Sequence, residues 1–348
     1  MRETRRNFLI TVLGGAAALE LTPGPGRAGS QAAPAAVLGV AGPAESAPRP
    51  GRVALIKTDS HRDGVLRALR LLPQVAVRGR TVAIKPNLNS SDPFPGSTHA
   101  ETLRTLVEFC KIGGAGEITI ADRSGMGDTA QVMRDKGLDV MARGLGVQLV
   151  PLDRLSPSAW VGRTLPGAHW RRGVLFPIPF ERADIIIQTC CLKTHRFGGQ
   201  FTLSLKNSVG IVARRGPDGY DYMEELHGSP LQRTLIAELN VLYRPALVVV
   251  DGIEAFVDGG PETGRLARPG VVLAGTDRVA LDAVGVALLR MHGVTGPVAQ
   301  GPIFEQEQIR RAVELGLGTT SDAGIELVTD TPEGQAVIAS VRAELGRG

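Results

Sequence analysis

Short apolar runs alternate with amphipathic segments along most of this 348-residue chain, and no other feature constrains its fold as strongly. The runs are rich in Val, Ile and Leu, as is typical of strands that are covered on both faces. They occupy residues 53–56, 82–84, 118–120, 147–150, 185–187, 247–250, 271–273 and 325–328. With helices between them, they predict a three-layer α/β fold with a parallel-rich sheet and helices on both faces. Polar loop insertions are expected at residues 151–176, 212–228 and 254–269.

Three segments carry sequence signals for the start of a helix. The signals are Thr98 with Glu101 as a capping box, Ser229 followed by Pro230, and Asp277 as an N-cap. His99 is then expected to be an ordinary first-turn residue. Asp282, four residues after Arg278, is explained as an ion-pair partner on the same helix face.

The first residues predict export rather than a part of the fold. Residues 4–19 combine two adjacent arginines with a short apolar stretch that ends at Glu20, which is typical of a twin-arginine signal. We predict a signal peptide over 1–30, a Pro/Ala/Gly-rich linker over 31–51 and a single α/β domain over 52–348. The expected partner is the twin-arginine export machinery, the location is periplasmic or extracellular, and no stable membrane anchor is expected because the apolar stretch is short.

Charge and cysteine content exclude several classes of function. The chain has a net charge of +4, and the five arginines and three glutamates before residue 51 leave about +2 on the body, which is too little for nucleic-acid binding. The three cysteines, Cys110, Cys190 and Cys191, cannot build a disulfide framework or a four-cysteine cluster. Cys110 is predicted to pack on the apolar face of a helix, and packing is the favoured role for the other two.

Polar side chains follow two predicted strands where a binding site is expected. Lys193, His195, Lys206 and Asn207 surround a Gly-Gly turn after the apolar run 185–187. Ligands of open α/β sheets lie beyond the carboxyl ends of the strands, so these residues are better candidates than polar groups on helices. Lys206 and Asn207 are also placed to open a helix whose free N–H groups favour an anion.

Lys85 and Asn87 form the second part of the predicted site. They flank Pro86, which ends a strand and turns the chain out of the sheet. Together with Lys193 and Lys206, they predict a pocket of cationic and amide donors that binds a small anionic molecule, such as a carboxylate, a phosphate or a developing enolate.

His195 and two carboxylates complete the candidate chemistry. His195 is a candidate general acid or base because an unperturbed imidazole titrates near neutral pH, and a metal ligand is the alternative. Asp251 is expected to exchange a proton with His195, and Glu262 to bind substrate opposite the lysines. A metal site is not predicted because no paired-histidine spacing is present, although Asp258 and other carboxylates are available as ligands.

Seven segments of the chain resemble motifs of the domain-of-unknown-function family 362, and they occur in the order that is typical of that family. The segments are residues 82–87, 183–187, 193–195, 203–207, 250–253, 260–264 and 277–283. Many members of that family carry an appended cysteine-rich module described as iron–sulfur or ferredoxin-like. No cysteine follows Asp282, so the resemblance implies that a redox role here would need an external electron donor.

These observations leave three classes of function open, and they assign no cofactor. The leading prediction is an exported enzyme that acts on a small anionic substrate by proton transfer or by a redox-linked step. The alternatives are a non-catalytic exported protein that binds an anion or a cofactor, and an assembly partner of an exported redox enzyme, for which an iron–sulfur association would be expected.

Overall fold

The structure is a computed structural model that describes residues 51–347. The predicted signal peptide, and all of the predicted linker except Gly51, lie outside these residues, and Gly51 is the first residue of strand β1. Among the described residues, no helix combines the length and the apolar character needed to cross a membrane.

Twelve strands are present in the described part of the chain. They are β1 (Gly51–Lys57), β2 (Thr81–Lys85), β3 (Glu117–Asp122), β4 (Gln148–Pro151), β5 (Trp160–Arg163), β6 (Val174–Pro177), β7 (Ile185–His195), β8 (Gln200–Thr202), β9 (Leu247–Gly259), β10 (Gly264–Ala267), β11 (Val271–Gly275) and β12 (Ile325–Val328). Each of the eight apolar runs in the sequence coincides with one of them, because a run of branched apolar residues suits a strand that is buried on both faces.

Eleven α-helices connect these strands within residues 51–347. They are α1 (His61–Arg70), α2 (Ala100–Ile112), α3 (Thr129–Asp135), α4 (Leu138–Leu145), α5 (Ile178–Glu181), α6 (Ser204–Asn207), α7 (Tyr222–Gly228), α8 (Gln232–Glu238), α9 (Arg278–Met291), α10 (Glu307–Glu314) and α11 (Pro332–Leu345). Helices α9, α10 and α11 contribute to the core on one face of the sheet, and α1, α2 and α4 to the core on the other. This arrangement confirms the three-layer α/β prediction.

Ten strands form one mixed sheet that is mostly parallel. Its main order is β12-β1-β11-β9-β7-β2-β3-β4, with β10 paired to β9 and β8 paired to β7. The five strands β9, β7, β2, β3 and β4 run parallel to one another, whereas β11 is antiparallel to both of its neighbours. The carboxyl ends of β2 and β3 therefore lie side by side at one edge of the sheet.

The predicted loop insertions contain regular structure. Strands β5 and β6 form a separate two-stranded sheet within and just beyond residues 151–176, and α7 lies within residues 212–228. Trp170, Val212 and Leu226 are buried in a small apolar cluster that these two insertions share. The insertions are thus folded against each other, and the second one supplies side chains to the site described below.

Two helix-start predictions are wrong. The Thr98 hydroxyl accepts a hydrogen bond from Asn87 N, 2.8 Å away, so it is not available to cap α2, and His99 is the N-cap residue instead. The Ser229 hydroxyl accepts from Leu231 N, and α8 begins only after Leu231.

The third helix start, Asp277, is confirmed as the N-cap of α9 because its carboxylate accepts a hydrogen bond from Ala280 N. The expected Arg278–Asp282 ion pair is wrong. Arg278 donates to Asn240 and to the Tyr243 carbonyl, whereas the Asp282 carboxylate accepts from the hydroxyl and N–H of Ser204.

Candidate functional site

A buried ion pair joins the ends of two neighbouring parallel strands. Lys85 is the last residue of β2 and Asp122 is the last residue of β3, and Lys85 Nζ lies 2.6 Å from Asp122 Oδ1. Their side chains are 1% and 2% exposed. Burial lowers the pKa of Lys85 and raises that of Asp122, and their mutual attraction opposes both shifts. Lys85 therefore reaches the site as half of an ion pair, and its partner Asp122 was not among the predicted site residues.

Two further groups hold this ion pair in place. Asn207 accepts a hydrogen bond from Lys85 Nζ at 3.0 Å and donates one to the Thr189 carbonyl. Gly210 packs against both charges, because a methyl group added there would lie 2.5 Å from Asp122 Oδ1 and 2.8 Å from Lys85 Nζ. The glycine at this position is thus explained by the close approach of the ion pair to the backbone.

Lys193 and His195 lie within a strand rather than after it. Strand β7 continues to His195 and pairs there with β8, so the Gly-Gly turn connects two strands. Lys193 is fully buried and donates to the carbonyl oxygens of Gly96, at 2.5 Å, and Pro261, at 3.0 Å. Burial lowers the pKa of Lys193 to about 8. No carboxylate within residues 51–347 forms an ion pair with it.

Lys206 differs from the other lysines of the chain. Of the six lysines in the sequence, five donate hydrogen bonds to protein groups, whereas Lys206 forms neither a hydrogen bond nor an ion pair within residues 51–347. Burial, with the nearby charges of Lys193 and Arg123, lowers the pKa of Lys206 to about 7. Its amine is therefore available to a ligand and is partly neutral at physiological pH.

The helix that carries Lys206 does not offer its N-terminus to an anion. Helix α6 begins at Ser204, two residues before Lys206, and comprises four residues. The N–H groups of Ser204 and Leu205 already donate to Asp282. The expected contribution of free helix N–H groups is therefore wrong, and the positive charge of the site comes from side chains.

His195 is a buried neutral imidazole. It is 7% exposed, and its Nδ1 atom has no hydrogen-bond partner among the described residues. Burial and the charges of Lys206 and Lys193 hold its pKa well below 6.5, which differs from the near-neutral value expected from the sequence. A methyl group at Gly199 would overlap Lys206 Cε and lie 3.2 Å from His195 Nδ1, so these two side chains meet on one side of that glycine.

These residues line a cavity of about 610 Å³, which we call the cationic cavity. Its polar lining comprises Lys85, Asn87, Asn89, Asp122, Arg123, Lys193, His195, Thr202, Lys206, Asn207, Arg214 and His227. Five lysine and arginine side chains thus face one carboxylate, and that carboxylate pairs with Lys85. The excess of positive charge in a partly enclosed volume favours an anionic ligand.

Three buried polar atoms of the cationic cavity have no hydrogen-bond partner within residues 51–347. They are Asn87 Oδ1, His195 Nδ1 and Thr202 Oγ1. Buried polar groups are nearly always hydrogen-bonded in folded proteins, so three such atoms in one cavity indicate a place for a polar ligand or for ordered water.

Arg123 and Arg214 belong to the cationic cavity but were not predicted. Arg123 follows β3 and donates to the carbonyls of Val209 and Val212, and Arg214 donates to the Gly125 carbonyl. Lys85 was predicted because ligands of open α/β sheets lie beyond the carboxyl ends of the strands. The same rule applies to Asp122 and Arg123, because β3 is parallel to β2 and ends beside it. No sequence signal indicates Arg214, which reaches the cavity from an insertion.

Asp251 lies outside the cationic cavity, so its predicted proton exchange with His195 is wrong. It is fully buried and accepts hydrogen bonds from Thr102 Oγ1 at 2.6 Å and His61 Nδ1 at 2.7 Å. The His61 ring stacks on His99 with a centroid separation of 3.6 Å, at the edge of a second cavity of about 630 Å³. Side chains alternate between the two faces of a strand, and Asp251 points to the face that carries α1 and α2.

Glu262 does not line the cationic cavity either. Its carboxylate forms an ion pair with Arg196, and Arg196 also donates to the Gly260 carbonyl. This hydrogen bond from Arg196, with the charges of Arg196 and Lys193, lowers the pKa of Glu262. Its predicted role opposite the lysines is thus replaced by a contact to Arg196.

The cysteines are buried and lack the features of metal ligands. Cys110, Cys190 and Cys191 are free thiols, and burial raises the pKa of Cys191 to about 11. The packing role predicted for Cys110 is confirmed by its place in the core next to α1 and β2. Within residues 51–347, no group of three or more His, Cys, Asp or Glu side chains has the arrangement needed to hold a metal ion.

Comparisons with known proteins identify the family of the chain. A search of curated proteins finds no significant match. Among solved structures, the chain is similar to the lactate racemase apoprotein from Thermoanaerobacterium thermosaccharolyticum, with 17% sequence identity and a TM-score of 0.38. This similarity covers 64% of the present chain and 54% of that chain, so it spans about half the length of the matched protein. A family model described as a domain of unknown function, DUF362, matches residues 82–287, and the chain belongs to this family.

Proposed function

We propose that this protein is an enzyme that binds a small anionic carbonyl compound in the cationic cavity and moves a proton on the carbon next to the carbonyl group. One observation carries the proposal. Arg123, Lys193, Lys206 and Arg214 line one cavity, and none of them forms an ion pair within residues 51–347. Four uncompensated cations in a confined volume repel one another, and an anion removes that repulsion.

The cations differ in how they would act on such a ligand. Arg123 and Lys193 are held by hydrogen bonds to backbone carbonyls, so they are suited to fix the position of an anion. Lys206 has no such bonds to the described part of the chain, so its amine is available to the reacting part of the ligand. Its pKa of about 7 allows both the neutral and the charged amine to be populated at physiological pH.

His195 is suited to transfer a proton rather than to bind the negative charge of the ligand. Because it is neutral, it accepts a proton through one ring nitrogen and donates through the other, and Nδ1 has no partner among the described residues. His195 Nδ1 and the Cε atom of Lys206 lie beside the same residue, Gly199. A substrate bound between them would therefore contact both groups.

The first test is anion binding by titration calorimetry, with inorganic phosphate and pyruvate as probes. We expect affinity to fall as the pH rises from about 6 to about 9, because Lys206 and Lys193 lose their protons near pH 7 and 8. Lys206→Met should weaken binding, and Lys111→Met, at an exposed lysine outside the cavity, should not. Absence of anion binding in the wild-type protein would refute the proposal.

The second test separates an enzyme from a binding protein. With pyruvate in D₂O, an enzyme of this kind exchanges the hydrogens next to the carbonyl, and proton NMR records the loss of their signal. His195→Ala should slow this exchange by on the order of 100-fold while pyruvate affinity changes little. Tight binding without any exchange by the wild-type protein would instead support the non-catalytic anion-binding alternative.

We also propose export by the twin-arginine machinery, on the basis of the arginine pair and the short apolar stretch in residues 4–19. The test is a fusion of residues 1–50 to a reporter that is active only after export. Replacing Arg5 and Arg6 together by lysine should abolish the reporter signal, and an unchanged signal would exclude this route.

A further inference from the structure

We propose that Lys206 forms a covalent imine with a 2-oxo carboxylate bound in the cationic cavity. The inference rests on the proposed function and extends it by naming the substrate class and the atom to which it bonds. Three observations support it: the amine of Lys206 has no partner within residues 51–347, its side chain lines a cavity rich in positive charge, and its Cε atom lies on the same side of Gly199 as a neutral imidazole.

The first observation concerns the bonding of the six lysines. Lys57, Lys111 and Lys136 each donate to a backbone carbonyl, Lys193 donates to two, and Lys85 pairs with Asp122. Hydrogen bonds to carbonyl oxygens favour the protonated form of an amine, and that form cannot attack a carbonyl carbon. Among these lysines, the described contacts leave only Lys206 without such a bond.

The second observation concerns charge. Burial, together with the charges of Lys193 and Arg123, disfavours the ammonium form of Lys206 and lowers its pKa to about 7. A partly buried amine next to other cations is the arrangement that activates a lysine as a nucleophile. The same cations would bind the carboxylate of a 2-oxo acid and bring its carbonyl carbon to Lys206.

The proposed step balances without an oxidant or a reductant. Lys206 Nζ forms a bond to the carbonyl carbon, and the carbonyl oxygen leaves as water with the two amine hydrogens. The imine nitrogen then takes up one proton to become an iminium ion, which acidifies the hydrogens on the neighbouring carbon. His195 accepts one of these hydrogens as a proton, and return of the proton followed by hydrolysis restores the amine.

The test is reductive trapping of the full-length protein with pyruvate and sodium borohydride, followed by peptide mass spectrometry. Borohydride converts an imine into a stable secondary amine, and the six lysines of the chain can each be assigned. We expect the adduct at Lys206 to exceed that at Lys111 by at least about tenfold near pH 7, because an ordinary lysine is almost fully protonated there. Because the wild-type protein is used, the result does not depend on the folding of a variant.

Two variants refine the assignment. Lys206→Arg keeps the positive charge and should abolish the adduct while it retains phosphate binding. Gly199→Ala retains the amine but displaces Lys206 Cε, and it should reduce the rate of adduct formation. Since Gly199 is outside the left-handed backbone region, alanine is compatible with its conformation.

The outcomes separate the two proposals. Anion binding with no adduct, or with the adduct at another lysine, overturns the imine and leaves the proposed anion-binding enzyme intact. Absence of both pyruvate and phosphate binding overturns both. An adduct at Lys206 that is blocked by excess phosphate supports the imine within the cationic cavity.

Discussion

Breaking the Lys85–Asp122 ion pair should destabilise the protein far more than breaking an exposed one. The two charged atoms lie 2.6 Å apart, and both side chains are almost completely buried. Lys85→Met leaves the Asp122 carboxylate in a site of low dielectric constant, with hydrogen bonds from Leu88 N and Arg123 N but no opposite charge in contact. Removing one partner of a buried pair typically costs about 3–5 kcal/mol.

Urea unfolding measures this cost. With a slope of about 3 kcal/mol/M, the upper value for small proteins, a loss of 3–5 kcal/mol lowers the unfolding midpoint by roughly 1 to 1.7 M. Asp122→Asn should have a similar effect because it leaves Lys85 buried without a counter-charge. The double variant should cost less than the sum of the two single variants, with a coupling energy of about 2–3 kcal/mol.

An exposed ion pair supplies the control. Arg143 and Asp139 on α4 are paired at 3.0 Å, with the Arg143 side chain 70% exposed, so Arg143→Met should leave the midpoint unchanged within error. Losses below about 1 kcal/mol for both Lys85→Met and Asp122→Asn, or strict additivity in the double variant, would refute the view that this buried pair stabilises the site.

Three further predictions test other parts of the structure. Because the folded-state pKa of Lys206 is about 7, against an ordinary 10.5, the unfolded chain binds more protons above pH 7. The unfolding free energy should therefore rise with pH between about 7 and 8.5, and a slope equal to that of Lys206→Met would contradict the assignment. Gly210→Ala should cost about 1–3 kcal/mol in urea unfolding by crowding the ion pair, whereas Gly144→Ala, in open space on α4, should not destabilise. Asp251→Asn should lower the pKa of His61 in an NMR titration and leave phosphate affinity unchanged. A loss of phosphate binding would contradict the placement of Asp251 outside the cationic cavity.

Sequence periodicity was sufficient to predict the fold class and most of the strands. Residues such as those of 185–187 and 247–250 form short continuous apolar runs, which are typical of strands covered on both faces. The Thr98 capping box was wrong because the hydroxyl hydrogen-bonds to Asn87 N, a residue eleven positions earlier, and no local pattern reports such a contact.

The residues of the candidate site were predicted in part. Lys193, His195, Lys206 and Asn207 line the cationic cavity, as do Lys85 and Asn87, because β2 and β7 are parallel and their carboxyl-terminal parts lie at the same edge of the sheet. The choice of carboxylates was wrong, because that rule does not give the face of the sheet to which Asp251 points, and because Glu262 lies between two strands and pairs with Arg196.

The amino-acid sequence by itself determined the α/β architecture, the family and the edge of the sheet where polar groups gather, since these follow from short-range patterns of apolar and polar residues. Only the tertiary structure decided the charge state of the site. In the folded chain Lys85 forms an ion pair with Asp122, and Asp251 accepts a hydrogen bond from His61. Lys206 lines the cavity without a partner among the described residues. Burial and the distance between charges determine whether a lysine is an ion-pair partner or a free amine, and both depend on residues far apart in the chain.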